Sequence, residues 1–215
     1  MRRLLATRSV TGPSTTRGRW ISWHITTNAR LISGTPAFAA NYSQGVTIVT
    51  NDNSTNQDDL LVGSQTGATR TGANGSLITF KHAQSYLRFR ARSTVAYNST
   101  ANSGITVTGI TLSQAAHNGT LSVTRGDGDA AGAVSMSWSG QGTKKDGVPV
   151  PGVSSQNLGS GSWSDLGSGI LVPTQASSGQ YVTIYYTQHN GVGADVAMQY
   201  NYFIDGTAWS PSTQY

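Results

Sequence analysis

The sequence predicts an all-β fold, and three of its features carry that prediction. The chain of 215 residues contains no glutamate and only three lysines, whereas glycine occurs 26 times and serine and threonine are frequent. Glutamate, lysine, alanine and leucine favour helix surfaces, while threonine and aromatic residues favour strands. Short alternating or β-branched runs are separated by Asn-Gly and Asp-Gly pairs, which adopt the backbone angles of tight hairpins. Many short strands at this spacing predict a β-sandwich.

The predicted elements follow one another along the whole chain. Residues 1–20 are polar, carry five arginines and are interpreted as a flexible or strand-donating arm. Strand-like runs cover residues 21–27, 45–50, 77–80, 86–95, 105–113, 120–125, 133–139, 170–173, 180–188 and 196–204. Residues 140–162 are rich in glycine and serine and predict a long surface loop. We expect tandem β-sandwiches of the transthyretin-like or Greek-key type, a small N-terminal domain over residues 21–70 and a larger sandwich over residues 71–215.

The stretch 86–95 shows how alternation assigns the two faces of a strand. The side chains predicted to face the core are Leu87, Phe89 and Ala91, and those predicted to face solvent are Arg88, Arg90 and Arg92. An arginine stripe suits a phosphate backbone, but no aromatic residues interleave on its face, as single-strand binding requires. We therefore interpret it as a solvated face whose arginines pair with a neighbouring strand.

The chain is long enough to be stabilised by a hydrophobic core alone. A domain of this length buries about two-thirds of the surface of its unfolded chain. The absence of cysteine excludes a disulfide framework, a thiolate metal site and a cysteine nucleophile. The apolar side chains expected to be buried together are Phe80, Leu87, Phe89, Ile110, Leu112, Ile184 and Phe203.

The residues that enzymes use for catalysis are scarce in this chain. There is no glutamate, and the adjacent Asp58 and Asp59 point apart on a strand, so they form no carboxylate pair. The four histidines lie far apart in sequence and lack metal-ligand spacing: His24, His82, His117 and His189. No nucleophile elbow or phosphate-binding loop is present. We expect no enzymatic activity, no cofactor and no metal site.

Two short motifs have both a structural and a functional interpretation. Residues 50–59 and 127–129 are rich in oxygen-bearing side chains that suit calcium, but neither has the full EF-hand spacing, and we interpret both as turns. Arg125, Gly126 and Asp127 form an Arg-Gly-Asp tripeptide at a predicted hairpin tip. We interpret the tripeptide as turn chemistry, with an adhesion signal as the alternative.

The charge and hydropathy of the chain bear on its partners and its location. The formal net charge is +5, but the arginines are spread along the chain, so we expect no nucleic-acid partner. No apolar run approaches the length of about 18 residues that a membrane span needs. The chain begins Met-Arg-Arg, but only residues 4–6 are apolar before Thr7, which is too short for a signal sequence. We expect that a leader was removed or was never used.

Three stretches of the chain carry short motifs that follow one another in a definite order. They are the Asp-Leu-Leu segment of residues 57–63, the Phe-x-His-Ala segment with its flanking alternating strands in residues 77–91, and the apolar run closed by Pro and Gln in residues 169–175. The order continues with residues 107–113 and the Gly119-Thr120 pair. In this order the stretches resemble the fimbrillin (Mfa-like) family of Bacteroidetes surface pili, and the resemblance covers residues 57–215.

The resemblance implies a two-domain β-sandwich subunit of a surface fimbria, exported as a lipoprotein. In such a subunit an arginine-directed protease removes an N-terminal strand, and a strand from the next subunit fills the groove that remains. Arg8, Arg17 and Arg19 are the candidate processing sites, since they lie in a polar segment. The expected partners are other copies or related pilus subunits, bound through strand exchange, and ligands on host or bacterial surfaces. The sequence lacks a lipobox cysteine, and the family's final strand is missing after Trp209 and Tyr215.

Two other functions also suit this composition. A phage virion surface protein, such as a fibre or decoration protein with the same fold, fits the low charge content and the missing leader. A carbohydrate-binding module would need exposed aromatic residues, for which the candidates are Trp138, Trp163, Tyr185, Tyr186, Tyr200 and Tyr202. Alternation places Tyr185 and Tyr186 on opposite faces and Tyr200 and Tyr202 on one face.

Overall fold

The computed structural model describes residues 7–13, 20–39, 45–68, 78–125, 134–176, 178–204, 206 and 208–215. Within these ranges every regular element is a β-strand, which confirms the all-β prediction. None of the residues in these ranges lies in a helix that could cross a membrane. The strands are β1 (Thr7–Pro13), β2 (Trp20–Thr26), β3 (Ala37–Phe38), β4 (Gly45–Val49), β5 (Leu61–Ala68), β6 (Phe80–His82), β7 (Ser85–Ala91), β8 (Ser103–Ser113), β9 (Thr120–Thr124), β10 (Ser135–Ser139), β11 (Val148–Pro149), β12 (Gln156–Asn157), β13 (Ser164–Val172), β14 (Tyr181–Asn190) and β15 (Val196–Phe203).

The first hydrophobic core joins two antiparallel sheets. One sheet has the strand order β1-β2-β5-β6 and the other has the order β10-β9-β4-β3. Ile25 and Val62 of the first sheet pack with Ile48 and Leu121 of the second. Since β9 and β10 belong to this core, it takes strands from both sides of the boundary predicted after residue 70, and the division into domains stays a prediction.

The second core lies between a larger and a smaller sheet. The larger sheet has the order β11-β8-β14-β15, with β12 also paired to β8, and the smaller sheet pairs β13 with β7. Leu87 of β7 and Ile170 of β13 pack with Leu112 of β8 and Val182 of β14, and Trp209 is buried among them. The predicted loop of residues 140–162 contributes the short strands β11 and β12, both of which pair with β8.

The predicted core is largely confirmed, with two corrections. Leu87, Ile110 and Leu112 are buried together, and Phe89 and Ile184 are partly buried against them. The prediction was wrong for Phe80 and Phe203, which are exposed. Phe80 opens the short edge strand β6. Phe203 alternates with Tyr202, which pairs with the buried Val182, so Phe203 points away from the core.

Candidate functional site

The most unusual surface of the described chain is one face of the edge strand β15. In the β14–β15 ladder Val182 pairs with Tyr202 and Ile184 pairs with Tyr200. Directly paired residues lie on the same face of a sheet, so the two tyrosines point to the side of the core. Yet Tyr200 is 57% exposed and Tyr202 is 59% exposed, while Val182 is 3% exposed. The core-side face of β15 is therefore uncovered by the opposite sheet.

A groove of about 630 Å³ lies beside this uncovered face. Buried members of the second core line it: Leu87, Ile110, Leu166, Val182 and Trp209. Exposed side chains that also line it are Arg88, Arg90, Trp163, Tyr202 and Tyr215. The groove thus leads from solvent to the apolar interior of the second sandwich, and we call it the open groove.

One side of the open groove is the free edge of β7. The N–H of Tyr86 donates to the carbonyl of Thr213 (3.0 Å), and the N–H of Arg88 donates to the carbonyl of Tyr215 (2.8 Å). Alternate residues of a strand point their backbone groups to the same side, so Arg90 points its N–H and C=O there too. Among the residues that the structure describes, none beyond β13 bonds to the Arg90 backbone. The edge of β7 is paired up to Arg88 and open from there on.

Positive charge lines this edge. Arg88 and Arg90 both contact Asp165 of β13, at 2.8 and 3.1 Å, which confirms the predicted pairing with a neighbouring strand. Arg92 lies over the ring of Trp163 at 4.7 Å from its centroid. Sequence reasoning missed this aromatic partner because Trp163 comes from a distant part of the chain. Three arginines thus lie beside a single carboxylate, that of Asp165, so the edge keeps a net positive charge.

The fimbrillin-like family matches residues 8–215 of the chain. The chain belongs to the fimbrillin-like family. This match confirms the resemblance found in residues 57–215 and extends it to residue 8. A solved structure similar to this fimbrillin-like chain is a fimbrial protein from Bacteroides vulgatus ATCC 8482, with 14% sequence identity, a TM-score of 0.49, and coverage of 90% of this chain and 68% of that one. No curated protein sequence matches the chain.

Family membership makes the chain a fimbrial subunit. Fimbrillin-like proteins are structural subunits rather than enzymes. Their place is a filament at the cell surface, built together with other pilus subunits.

The predicted processing and adhesion residues of this fimbrillin-like subunit are only partly described by the structure. Arg8 lies on β1, where it pairs with Ile25 of β2, and Arg17 and Arg19 lie outside the described residues. Arg125 directly follows β9, whereas Gly126 and Asp127 lie outside the described residues. Protease processing and adhesion at these positions stay predictions.

The Asn/Asp-rich stretch of the fimbrillin-like subunit folds back on itself. The amide of Asn53 donates to the carbonyl of Asp58 and accepts from the Asp58 N–H, both at 2.8 Å. Desolvation raises the pKa of Asp52, but hydrogen bonds from Lys145 and Ser54 outweigh it and bring that pKa down to about 2. In the part of the chain that the structure describes, no three histidine or acidic side chains converge to hold a metal ion.

Three of the four histidine side chains have described surroundings. His82 contacts Asp59 at 2.8 Å, and His189 contacts Asp195 at 2.9 Å. Within the part of the chain that the structure describes, neither ring nitrogen of the buried His117 has a hydrogen-bond partner. Desolvation lowers the pKa of His117 to about 4, and the charge of nearby Lys145 acts in the same direction, while that of Asp52 raises it.

The aromatic candidates for a sugar site are spread over several environments. The indole N–H of Trp138 donates to the carbonyl of Ala83 (2.7 Å), and its ring packs against the first core. Trp163 is exposed but carries Arg92 over its ring. Tyr200 and Tyr202 share one face of β15, as alternation predicted, and belong to the uncovered surface.

Proposed function

We propose that this fimbrial subunit assembles by accepting a β-strand from a neighbouring subunit in the open groove. The observation that carries the proposal is the uncovered core-side face of β15, where Tyr200 and Tyr202 are more than half exposed. Met198, on the same face, is also exposed. A strand added at the open edge of β7 would cover this face, and open sheet edges pair with other chains.

The proposed strand satisfies two needs of the open groove together. Along the edge of β7 its backbone would bond to the free N–H and C=O of Arg90, and its inward side chains would cover Tyr202 and the buried residues beneath. Burial of one large apolar side chain contributes roughly 1.5–3 kcal/mol. Backbone bonds supply affinity and side-chain pockets supply specificity in this mode of recognition. A few inward residues are therefore enough to offset the entropy cost of association.

The N-terminal arm supports a role for proteolysis in the same assembly. Among the strands that the structure describes, β1 lies at the edge of its sheet and pairs with β2 alone. Arg17 and Arg19 follow β1 in sequence, so cleavage there separates β1 from the rest of the chain. If β1 leaves, the edge of β2 would be free to pair with a strand from a neighbouring subunit and would serve as a second acceptor. We propose these two arginines, with Arg8, as the processing sites.

Assembly of purified subunits tests the proposal. The N-terminal arm of the parent protein and of two variants is removed with a trypsin-like protease. Multimers are then detected by sedimentation and electron microscopy. Tyr202→Ser removes an inward side chain of β15 and is expected to reduce the fraction of multimers. Phe203→Ser is the matched control, because Phe203 is equally exposed at 59% but points to the opposite face. Multimers that form equally well in Tyr202→Ser would refute assembly through the open groove.

A further inference from the structure

A chain of hydrogen bonds on the outer face of the second sandwich has the layout of a nucleophile with its base. Oγ1 of Thr106 lies 2.8 Å from Nε2 of His189, and Nδ1 of His189 lies 2.9 Å from Oδ2 of Asp195. Oδ1 of Asp195 accepts from Nδ2 of Asn102 at 3.0 Å. A hydroxyl, an imidazole and a carboxylate in this order are the groups that activate a hydroxyl as a nucleophile.

The side-chain amide of Asn157 is in hydrogen-bond contact with the hydroxyl of Thr106. Oγ1 of Thr106 is 2.6 Å from Oδ1 of Asn157, and the two residues face each other in the pairing of β12 with β8. The neighbouring N–H of Leu158 donates to the carbonyl of Ile105. Hydrogen-bonded and non-hydrogen-bonded pairs alternate along an antiparallel ladder. Thr106 and Asn157 therefore form a non-hydrogen-bonded pair, in which side chains approach most closely.

The protons in this chain of bonds define its two states. The Thr106 hydroxyl has a single proton to donate. If Thr106 donates this proton to a hydrogen bond with Oδ1 of Asn157, its oxygen must accept the hydrogen bond from Nε2 of His189. Since Nδ1 faces a carboxylate, it donates as well, and His189 is an imidazolium. When His189 is neutral, Nδ1 keeps its proton toward Asp195, and Nε2 accepts the proton of Thr106. In this second state the hydroxyl oxygen is the activated group.

We propose that Thr106 and Asn157 join in an intramolecular ester bond. Oγ1 of Thr106 attacks Cγ of Asn157 while Nε2 of His189 takes the hydroxyl proton. The C–N bond of the amide then breaks, its electron pair leaves with the nitrogen, and His189 returns the proton to that nitrogen. One ammonia leaves, and no oxidant or reductant is consumed. The reaction runs once in each molecule, so it is self-modification and not turnover of a substrate.

The hydroxyl and the imidazole of this pair are shielded from solvent, whereas Asn157 is exposed. Thr106 is 9% exposed and the side chain of His189 is 13% exposed. The ring of Tyr97 packs edge-on against His189, with 5.1 Å between the centroids. The bond ties the two-residue strand β12 to the central strand β8. A covalent tie at this position suits a subunit that transmits force along a filament.

Mass spectrometry of the intact, unfolded protein tests the proposal. The parent protein is expected to be lighter than its sequence mass by one ammonia. Trypsin cleaves after Arg92, Arg125 and Lys145, so Thr106 and Asn157 fall into the separate peptides 93–125 and 146–215. These two peptides are expected to remain linked after digestion and to separate on treatment with hydroxylamine.

Variants at the reacting groups provide the controls. His189→Ala and Thr106→Val are expected to have the full sequence mass and unlinked peptides, whereas Thr106→Ser keeps a hydroxyl and keeps the link. A parent protein with the full sequence mass would overturn the proposal whether or not the variants fold. A loss of ammonia with unlinked peptides, as succinimide formation at an Asn-Gly pair would give, overturns it as well.

Discussion

Tyr202 of β15 and Val182 of β14 are direct partners on one face of the same sheet, yet Tyr202 is 59% exposed while Val182 is 3% exposed. The second core thus ends in the middle of a sheet face, at the line between β14 and β15. A sandwich that is complete covers all strands of its inner faces. The inner face of this one lacks cover for its last strand, which is the physical basis for the proposed strand acceptance.

The first prediction compares these two partners in the isolated subunit. Val182→Ala is expected to lower the free energy of unfolding by about 1–2 kcal/mol, because it removes methyl groups from the core. Tyr202→Ser is expected to change it by less than about 0.5 kcal/mol, since exposed substitutions usually do. Urea denaturation of the monomer measures both. A large loss of stability in Tyr202→Ser would show that Tyr202 is covered in solution.

The second prediction concerns the packing of the second core. Leu112 of β8 is fully buried and packs with residues of both sheets. Leu112→Ala is expected to cost about 2–5 kcal/mol, the loss of apolar contact together with the cavity that remains. Val192→Ala, in the exposed turn between β14 and β15, is the control and is expected to be neutral. Thermal unfolding followed by circular dichroism measures the difference, and equal melting temperatures would contradict the packing described.

Strand β7 shows what the sequence could predict. Its alternation assigned Leu87 to the core and Arg88 to solvent, and both assignments are confirmed. Alternation depends only on the backbone geometry of one strand. Strand β15 shows the limit of the same reasoning. The alternation of its side chains identifies the residues that share a face, but it does not identify which of the two faces a second sheet covers. Phe203 was therefore assigned to the wrong side.

The Thr106–His189–Asp195 cluster could not be predicted from spacing. An irregularity in the β14–β8 ladder pairs Tyr185 with Gly109 and Tyr186 with Val107, so Thr108 is an extra residue. An extra residue reverses the faces of all residues beyond it. Simple alternation would place Thr106 on the core side with Ile110, whereas the irregularity turns it toward His189. No pattern within the sequence of β8 indicates this reversal.

A third prediction follows from the arginines beside the open groove. Arg88 and Arg90 share the single carboxylate of Asp165, and Arg92 lies over Trp163. An incoming strand with acidic outward residues is expected to bind faster than a neutral one, because complementary charge mainly raises the association rate. Surface plasmon resonance with acidic and neutral strand peptides measures this. Arg90→Gln is expected to reduce the difference in association rate between the two peptides, and added salt is expected to remove it. Equal association rates for both peptides would contradict the prediction.

The last prediction concerns the stability of the subunit in acid and rests on His117. Burial keeps this imidazole neutral in the folded protein, with its pKa lowered from 6.5 to about 4. The unfolded chain binds a proton at higher pH than the folded chain, so stability falls as the pH decreases. The contribution is fully present above pH 6.5 and is lost as the pH falls to about 4. The shift corresponds to about 3 kcal/mol at most.

Substitution of His117 separates this effect from the other titrations. His117→Leu removes a side chain whose ring nitrogens have no hydrogen-bond partner among the described residues. The substitution is expected to flatten the stability curve between about pH 6.5 and 4. Asp52, which faces His117 together with Lys145, has its pKa near 2 and loses its contribution only below that range. His82→Leu is the control, since His82 is exposed and paired with Asp59. Urea denaturation at a series of pH values measures the slope. If the slope persists in His117→Leu, another group is responsible for the loss of stability in acid.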